Sequence, residues 1–232
     1  MSRQHRAAGF STREWECLRG DAEDLVRPCV QRLVRQDIAA GRLLGAFLAP
    51  PCGSWSSINR SVHRPCSDLW GSLEQPSAAA TKSVRRGNAC ARAALKLISS
   101  LEAHRVPWLL EHPRSSKLWR TQEFISLANR SHIEICHLDQ CQYGTRWRKA
   151  TTLMCSHVDP YNLHRLHRRC HKSRSGLCNA TGKAHIQLRG LHSSGIPMTS
   201  LASSYPRDLA QDISFVLVDE ARARFMNHES NI

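Results

Sequence analysis

The 232-residue sequence has no apolar run approaching the roughly 20 residues a membrane-spanning helix requires, which excludes a helical membrane protein and makes a soluble chain the expectation. Its start, MSRQHRAAGFSTREWEC, has no apolar core of signal-peptide length, so an intracellular, reducing setting is expected, nuclear in a eukaryote. Among the 10 cysteines there is no Cys-x-x-Cys pair and no framework of short regular spacings. That argues against a disulfide scaffold and for thiol chemistry or a metal. Acidic residues are scarce in one stretch, for no Asp or Glu occurs between Asp159 and Asp208.

That stretch holds Arg165, Arg168, Arg169, Lys172, Arg174, Lys183, Arg189 and Arg207, with five histidines among them. A like-charged block is often a solvated tail, but Cys170, Cys178 and several glycines interrupt this one and suggest a small ordered unit. The whole chain carries a formal charge of +14 and a pI near 9.9. Each cation set against a phosphate releases condensed counterions, so the balance favours a polyanionic partner, with DNA leading and RNA open. A basic protein with no specific polyanion is the plain alternative. With 41% hydrophobic and 22% charged residues, the length suits one main globular domain.

Periodicity outlines the elements. Leu25, Val26, Cys29, Val30, Leu33, Val34 and Ile38 fall at helical spacing, with Asp21 or Asp24 as cap and Gly41 as stop. A strand from Leu43 to Leu48 then runs into Pro50, Pro51 and Cys52. The pattern recurs: Asn88 caps a helix striped by Ala93, Ala94, Leu97, Ile98 and Leu101, and the strand Trp108 to Leu110 runs into Glu111. Two helix-then-strand units with continuous apolar strands predict an α/β fold around a mostly parallel sheet. Ligands in such sheets bind beyond the carboxyl ends of the strands, where Cys52 and Glu111 both fall. Further strands are expected at Ile133 to Ile135 and Thr151 to Met154, a long loop over 60–86, and a helix from Pro206 to Phe225.

APPCGSWS around Cys52 and LLEHPRSSKLW around Glu111, with RGDAEDL before them and YGTRWRKATTLM after them, resemble the DNA cytosine-5 methyltransferase family in order and approximate spacing. The likeness is closest to divergent members found with mobile elements and covers roughly residues 18–155. It implies part of a class I, Rossmann-like methyltransferase sheet with helices on both faces. The expected organisation is a methyltransferase-like domain over 1–155, a basic Cys/His-rich subregion over 156–200, and a C-terminal helix over 201–232 that packs back on the domain.

The resemblance also implies a chemistry. Carbon 5 of cytosine is too electron-poor to attack a methyl sulfonium, so Cys52 would first add to carbon 6. Glu111 would neutralise the charge building on the ring from the N3 edge, and Arg148 and Arg146 would steady the base or the adduct. Read without the family, those two arginines are equally exposed strand residues facing solvent or phosphate. A target base within a duplex would have to be flipped out. Ser54 and Ser56, after the nucleophile, are expected at nucleic acid together with Arg165, Arg168, Arg169 and Lys172. Asp21 and Pro50 are the positions expected near S-adenosylmethionine. His112 stands where the family has Asn.

The family's Phe-x-Gly-x-Gly turn for that cofactor does not occur. The implied activity, methyl transfer from S-adenosylmethionine to cytosine, therefore calls for a second chain or further sequence to supply the cofactor half. The alternative is a non-catalytic nucleic-acid-binding module from a mobile element. A structural zinc is a separate expectation, with Cys155, Cys170, Cys178 and His185 as ligands and His157, His164, His171 and Cys66 competing for each place. Reduced thiols in a packed subdomain remain the alternative to a metal.

Overall fold

The computed structural model describes residues 6, 9–15, 20–71, 74–171 and 176–229. Four strands form one sheet: β1 (Ala46–Leu48), β2 (Trp108–Pro113), β3 (Ile133–Asp139) and β4 (Ala150–Ser156), in the order β1-β2-β4-β3. The helices are α1 (Pro28–Ala39), α2 (Ala78–Ala103), α3 (Gln122–Ala128), α4 (Pro160–His164), α5 (Met198–Leu201) and α6 (Arg207–Glu229), of which α1, α2 and α6 are the long ones. No described helix is long and apolar enough to cross a membrane.

The α/β class holds, but the sheet is mixed rather than mostly parallel. β1 and β2 run parallel, with Leu48 opposite Leu110, because α2 carries the chain back between them. β4 is antiparallel to both of its neighbours. β3 and β4 are joined by residues 140–149 with no crossover helix, so they close as a hairpin, and β4 inserts beside β2.

Alternation along the strands builds a core on each side. Trp108, Leu110 and Met154 pack with α1, α2 and α3 through Ile38, Leu97, Ile98 and Phe124. Leu109, Leu153 and Cys155 face the other way, against Leu163 of α4 and Leu209, Ile213 and Val216 of α6. The same alternation sends Glu111 to the α6 side and His112 to the α2 side.

Two helix starts differ from expectation. Neither Asp21 nor Asp24 caps α1, which begins at Pro28, whose fixed φ suits the first helical position. Asp24 instead accepts from the Val26 amide and pairs with Arg86 at 2.8 Å. α2 begins at Ala78 rather than Asn88, because the Ser77 hydroxyl caps it by accepting from Ala80 and the alanines that follow favour helix. The long loop is therefore shorter than 60–86, and Asn88 lies inside the helix.

Candidate active site and metal centre

Cys52 follows β1 and opens a 3-10 turn, Gly53–Trp55. Gly87 of α2 lets this turn approach the helix, for a Cβ there would stand 2.1 Å from Ser54 Oγ. The Trp55 indole is fully buried and donates to the Gly87 carbonyl at 3.2 Å. Over its ring, at 3.6 Å, lies the buried guanidinium of Arg64, which donates to the carbonyls of Ser54 and Leu69 and to Asn88 Oδ1, each at 2.8 Å. Burial lowers the Arg64 pKa to about 10, with Asp68 opposing. Ser54 therefore belongs to the packing beneath the turn, 3% exposed, and is not the nucleic-acid contact the sequence suggested. Ser56 and Cys52 are half-buried.

The parallel register brings the Cys52 loop beside the end of β2. Glu111, expected at the strand end, lies buried within β2, one residue past the last parallel pair; its Oε2 accepts from the Tyr205 hydroxyl at 2.8 Å, and Oε1 has no partner among the described residues. Burial pushes the Glu111 carboxyl up, against the Tyr205 hydrogen bond and the Lys149 charge. Burial also raises the Cys52 thiol, helped by Glu111 and opposed by Lys149. Thiol, carboxyl, phenol and ammonium therefore share one electrostatic neighbourhood. Lys149 is held by donating to the Ala202 carbonyl at 2.8 Å, with Nζ 5.7 Å from the Tyr205 ring centroid. Its φ of 29° is unusual for a residue with a side chain and marks a constrained turn. The Tyr205 ring also meets Phe47 edge-on at 5.6 Å.

Sequence reading missed Lys149 and Tyr205. The one available signal was Lys149's place directly after Arg148; Tyr205 lies 94 residues from Glu111, beyond any local pattern.

His112 is fully buried and edge-on to Trp119 at 6.0 Å. Burial lowers its pKa to about 3, the Pro51 backbone opposing. Neither ring nitrogen completes a hydrogen bond among the described residues, yet Pro51 lies near enough to bias the ring, so this side chain sits beneath the Pro-Pro-Cys loop.

Arg146 and Arg148 precede β4 in a loop rather than lying on a strand. Arg148 is turned to the buried Asp139, donating from Nη2 to Oδ2 at 3.1 Å with Nε 3.1 Å from Oδ1. The Asp139 hydrogen bond raises the Arg148 pKa. Asp139 also accepts the Cys170 amide at 2.9 Å and has Arg114 at 3.7 Å. Arg146 is exposed, and its carbonyl accepts from Ile186.

In the basic stretch, Arg165 and Arg168 lie against α6, paired with Asp219 at 4.0 Å and Asp212 at 2.7 Å. The acids of α6 thus offset part of a charge that looks uncompensated along the sequence. Arg169 is exposed. Lys172 lies outside the described residues.

Cys170, Cys178 and His185 converge as expected, but the fourth donor is Cys141, not Cys155. Cys155 is fully buried on β4 in the α6-side core, where its thiol reaches the Glu134 carbonyl. Burial raises that thiol well above its ordinary value. Cys141 lies in the turn that ends β3, Gln140–Tyr143, a strand-end position that can turn toward another loop. The four donor atoms lie within 4.8 Å of one another and could hold a metal ion.

Nothing among the described residues supports a site for S-adenosylmethionine. Asp21 is exposed and paired with Arg27, and neither it nor Pro50 lines the cavity beside β1. That cavity, about 580 Å³, runs along the free edge of β1 past Phe10, Arg13, Trp15, Leu44 and Leu217, a largely apolar lining. Comparison with models of known protein families, with curated proteins and with solved structures found no match.

Proposed function

We propose that this chain carries the base-activating half of a cytosine-5 methyltransferase acting on nucleic acid, with Cys52 as nucleophile and Glu111 as acid. The observation that carries the reading is the pairing of β1 with β2, with the half-buried thiol and the buried carboxyl close enough to shift one another electrostatically beside Lys149 and Tyr205.

The electrostatics suit the roles. Burial raises the Glu111 pKa and so favours the protonated carboxyl, which can donate a hydrogen bond or proton to N3 of cytosine, and Oε1 has no partner among the described residues. Tyr205 on Oε2 orients the group. Lys149 opposes the upward shift of the thiol and so favours the thiolate that attacks. In the step itself the Cys52 proton is lost to solvent, the Sγ–C6 bond forms, and the C5=C6 electrons move into the ring as Glu111 protonates N3. Carbon 5 can then take a proton from water; loss of the original C5 hydrogen to water, return of the N3 proton to Glu111 and expulsion of sulfur as thiolate restore cytosine and the enzyme. Methyl transfer would use S-adenosylmethionine, for which another segment or a second chain must provide the site.

This exchange needs no methyl donor, so it tests the chain as it stands. DNA tritiated at cytosine C5 is expected to release tritium to water in its presence. Cys52→Ala should abolish release, and Glu111→Gln should slow it by about 10²–10⁴-fold, the usual worth of a positioned acid. Release undiminished in Cys52→Ala overturns the assignment. The second reading, a non-catalytic nucleic-acid-binding module, draws support from the closed Tyr205–Glu111 contact and the raised thiol. It expects binding with no exchange.

A further inference from the structure

We propose that Cys141, Cys170, Cys178 and His185 bind one zinc ion in a closed tetrahedral site that staples the basic loop to the carboxyl end of β3. This inference stands apart from the chemistry at Cys52.

Two of the six donor–donor distances match those a bound ion would impose, and all lie within 4.8 Å. With Zn–S arms of about 2.3 Å and a Zn–N arm of about 2.0–2.1 Å, tetrahedral angles put neighbouring sulfurs about 3.8 Å apart and sulfur and nitrogen about 3.6 Å apart. Cys170 Sγ lies 3.7 Å from Cys178 Sγ and 3.6 Å from His185 Nε2. The donors, three thiols and one imidazole, are the set zinc prefers, and four protein ligands leave no open position for substrate, which makes the site structural.

Ordinary packing does not account for the arrangement. Buried thiols usually lodge among aliphatic side chains, as Cys136 and Cys155 do between Leu109, Leu138 and Leu153. Cys141, Cys170 and Cys178 instead form a buried cluster of their own. Polar groups are also arranged around the sulfurs. Gln142 Nε2 donates to Cys141 Sγ at 3.7 Å, and the backbone at Ala180 and Thr181 hydrogen-bonds the Cys178 sulfur. Gly182, at φ 65°, closes that turn by donating to the Cys178 carbonyl at 2.8 Å. Such outer contacts orient ligands around a metal.

The ion would join parts of the chain that share little apolar surface. Cys141 ends β3, while Cys170, Cys178 and His185 come from the loop after α4. Asp139 ties the Cys170 amide to Arg148, and Ile186 donates to the Arg146 carbonyl. Metal loading therefore positions the loop against both arginines.

Metal analysis of the full chain, purified under reducing conditions without chelator, tests this. About one zinc per chain is expected. Cys141→Ser and Cys170→Ser should each fall to background, whereas Cys155→Ala should keep the metal. Cobalt substitution should give the intense visible bands of tetrahedral thiolate ligation. His185→Cys, which keeps four soft donors, should retain cobalt with shifted bands, and this variant decides the matter if a serine variant fails to fold. Protein without metal, a Cys170–Cys178 disulfide in its place, or metal lost on Cys155→Ala but kept on Cys141→Ser would each overturn the site.

Discussion

Glu111 and His112 are neighbours on one strand, and the pleat sends them to opposite cores, where burial disfavours the charged form of each. For Glu111 the folded pKa is raised from 4.5. Between 4.5 and that raised value the folded chain keeps a proton that the unfolded chain has released, so the stability change with pH is negative. Stability from this group is full below 4.5 and declines as pH rises. Glu111→Gln should remove the decline, so that the melting temperature of the variant gains on the parent as pH rises above 4.5. Curves that stay parallel would show that Glu111 titrates normally. Tyr205→Phe removes a hydrogen bond that lowers the carboxyl pKa. The alkaline limb of tritium release, set by loss of the Glu111 proton, should move to higher pH; an unmoved limb would deny Tyr205 a positioning role.

At the scale of elements, the close contact of α2 with the Cys52 turn decides where that turn sits. Alanine in place of glycine within a helix ordinarily stabilises by up to about 1 kcal/mol. At Gly87 the new Cβ would meet Ser54 Oγ at 2.1 Å and Trp55 Nε1 at 3.2 Å. Gly87→Ala should therefore destabilise by roughly 1–3 kcal/mol through overpacking. Adding Ser54→Gly should recover about 1 kcal/mol or more, since the two sites touch and cannot act independently. Urea unfolding of the single and double variants measures both terms, and additive effects would refute the contact. Expectation and structure part at the start of this helix. The stripe from Ala93 to Leu101 was legible as period, while Gly87, Asn88 and the charges at Lys82, Arg85 and Arg86 obscured the turns before it.

Across the whole molecule the positive charge is partly answered within the fold. Arg148 goes to Asp139, Arg165 to Asp219, Arg168 to Asp212 and Arg86 to Asp24. These pairs are neutral, so the net charge of +14, counted after every acid, is left whole. If the chain grips nucleic acid as proposed, log affinity should fall linearly with log salt, with a slope near −0.9 for each duplex phosphate neutralised. Arg169→Ala should weaken binding evenly across sequences and reduce the slope by about one contact. Binding measured over a salt series tests this, and affinity indifferent to salt would exclude a phosphate-led interface.

By itself the sequence determined what local order can encode. The alternation of helix and strand set the α/β class, because apolar period and turn residues act over a few positions. The same logic put Cys52 just past β1, though Glu111, expected at the end of its strand, lies inside β2, which runs on to Pro113; the uneven charge marked the basic loop. Only the tertiary structure decided which distant groups meet. It chose Cys141 over Cys155 because one cysteine ends a strand while the other points into a core. It turned Arg148 to Asp139, sealed Ser54 beneath Arg64, and brought Tyr205 to Glu111. Such choices depend on register and on how helices pack, and no repeat along the chain records them.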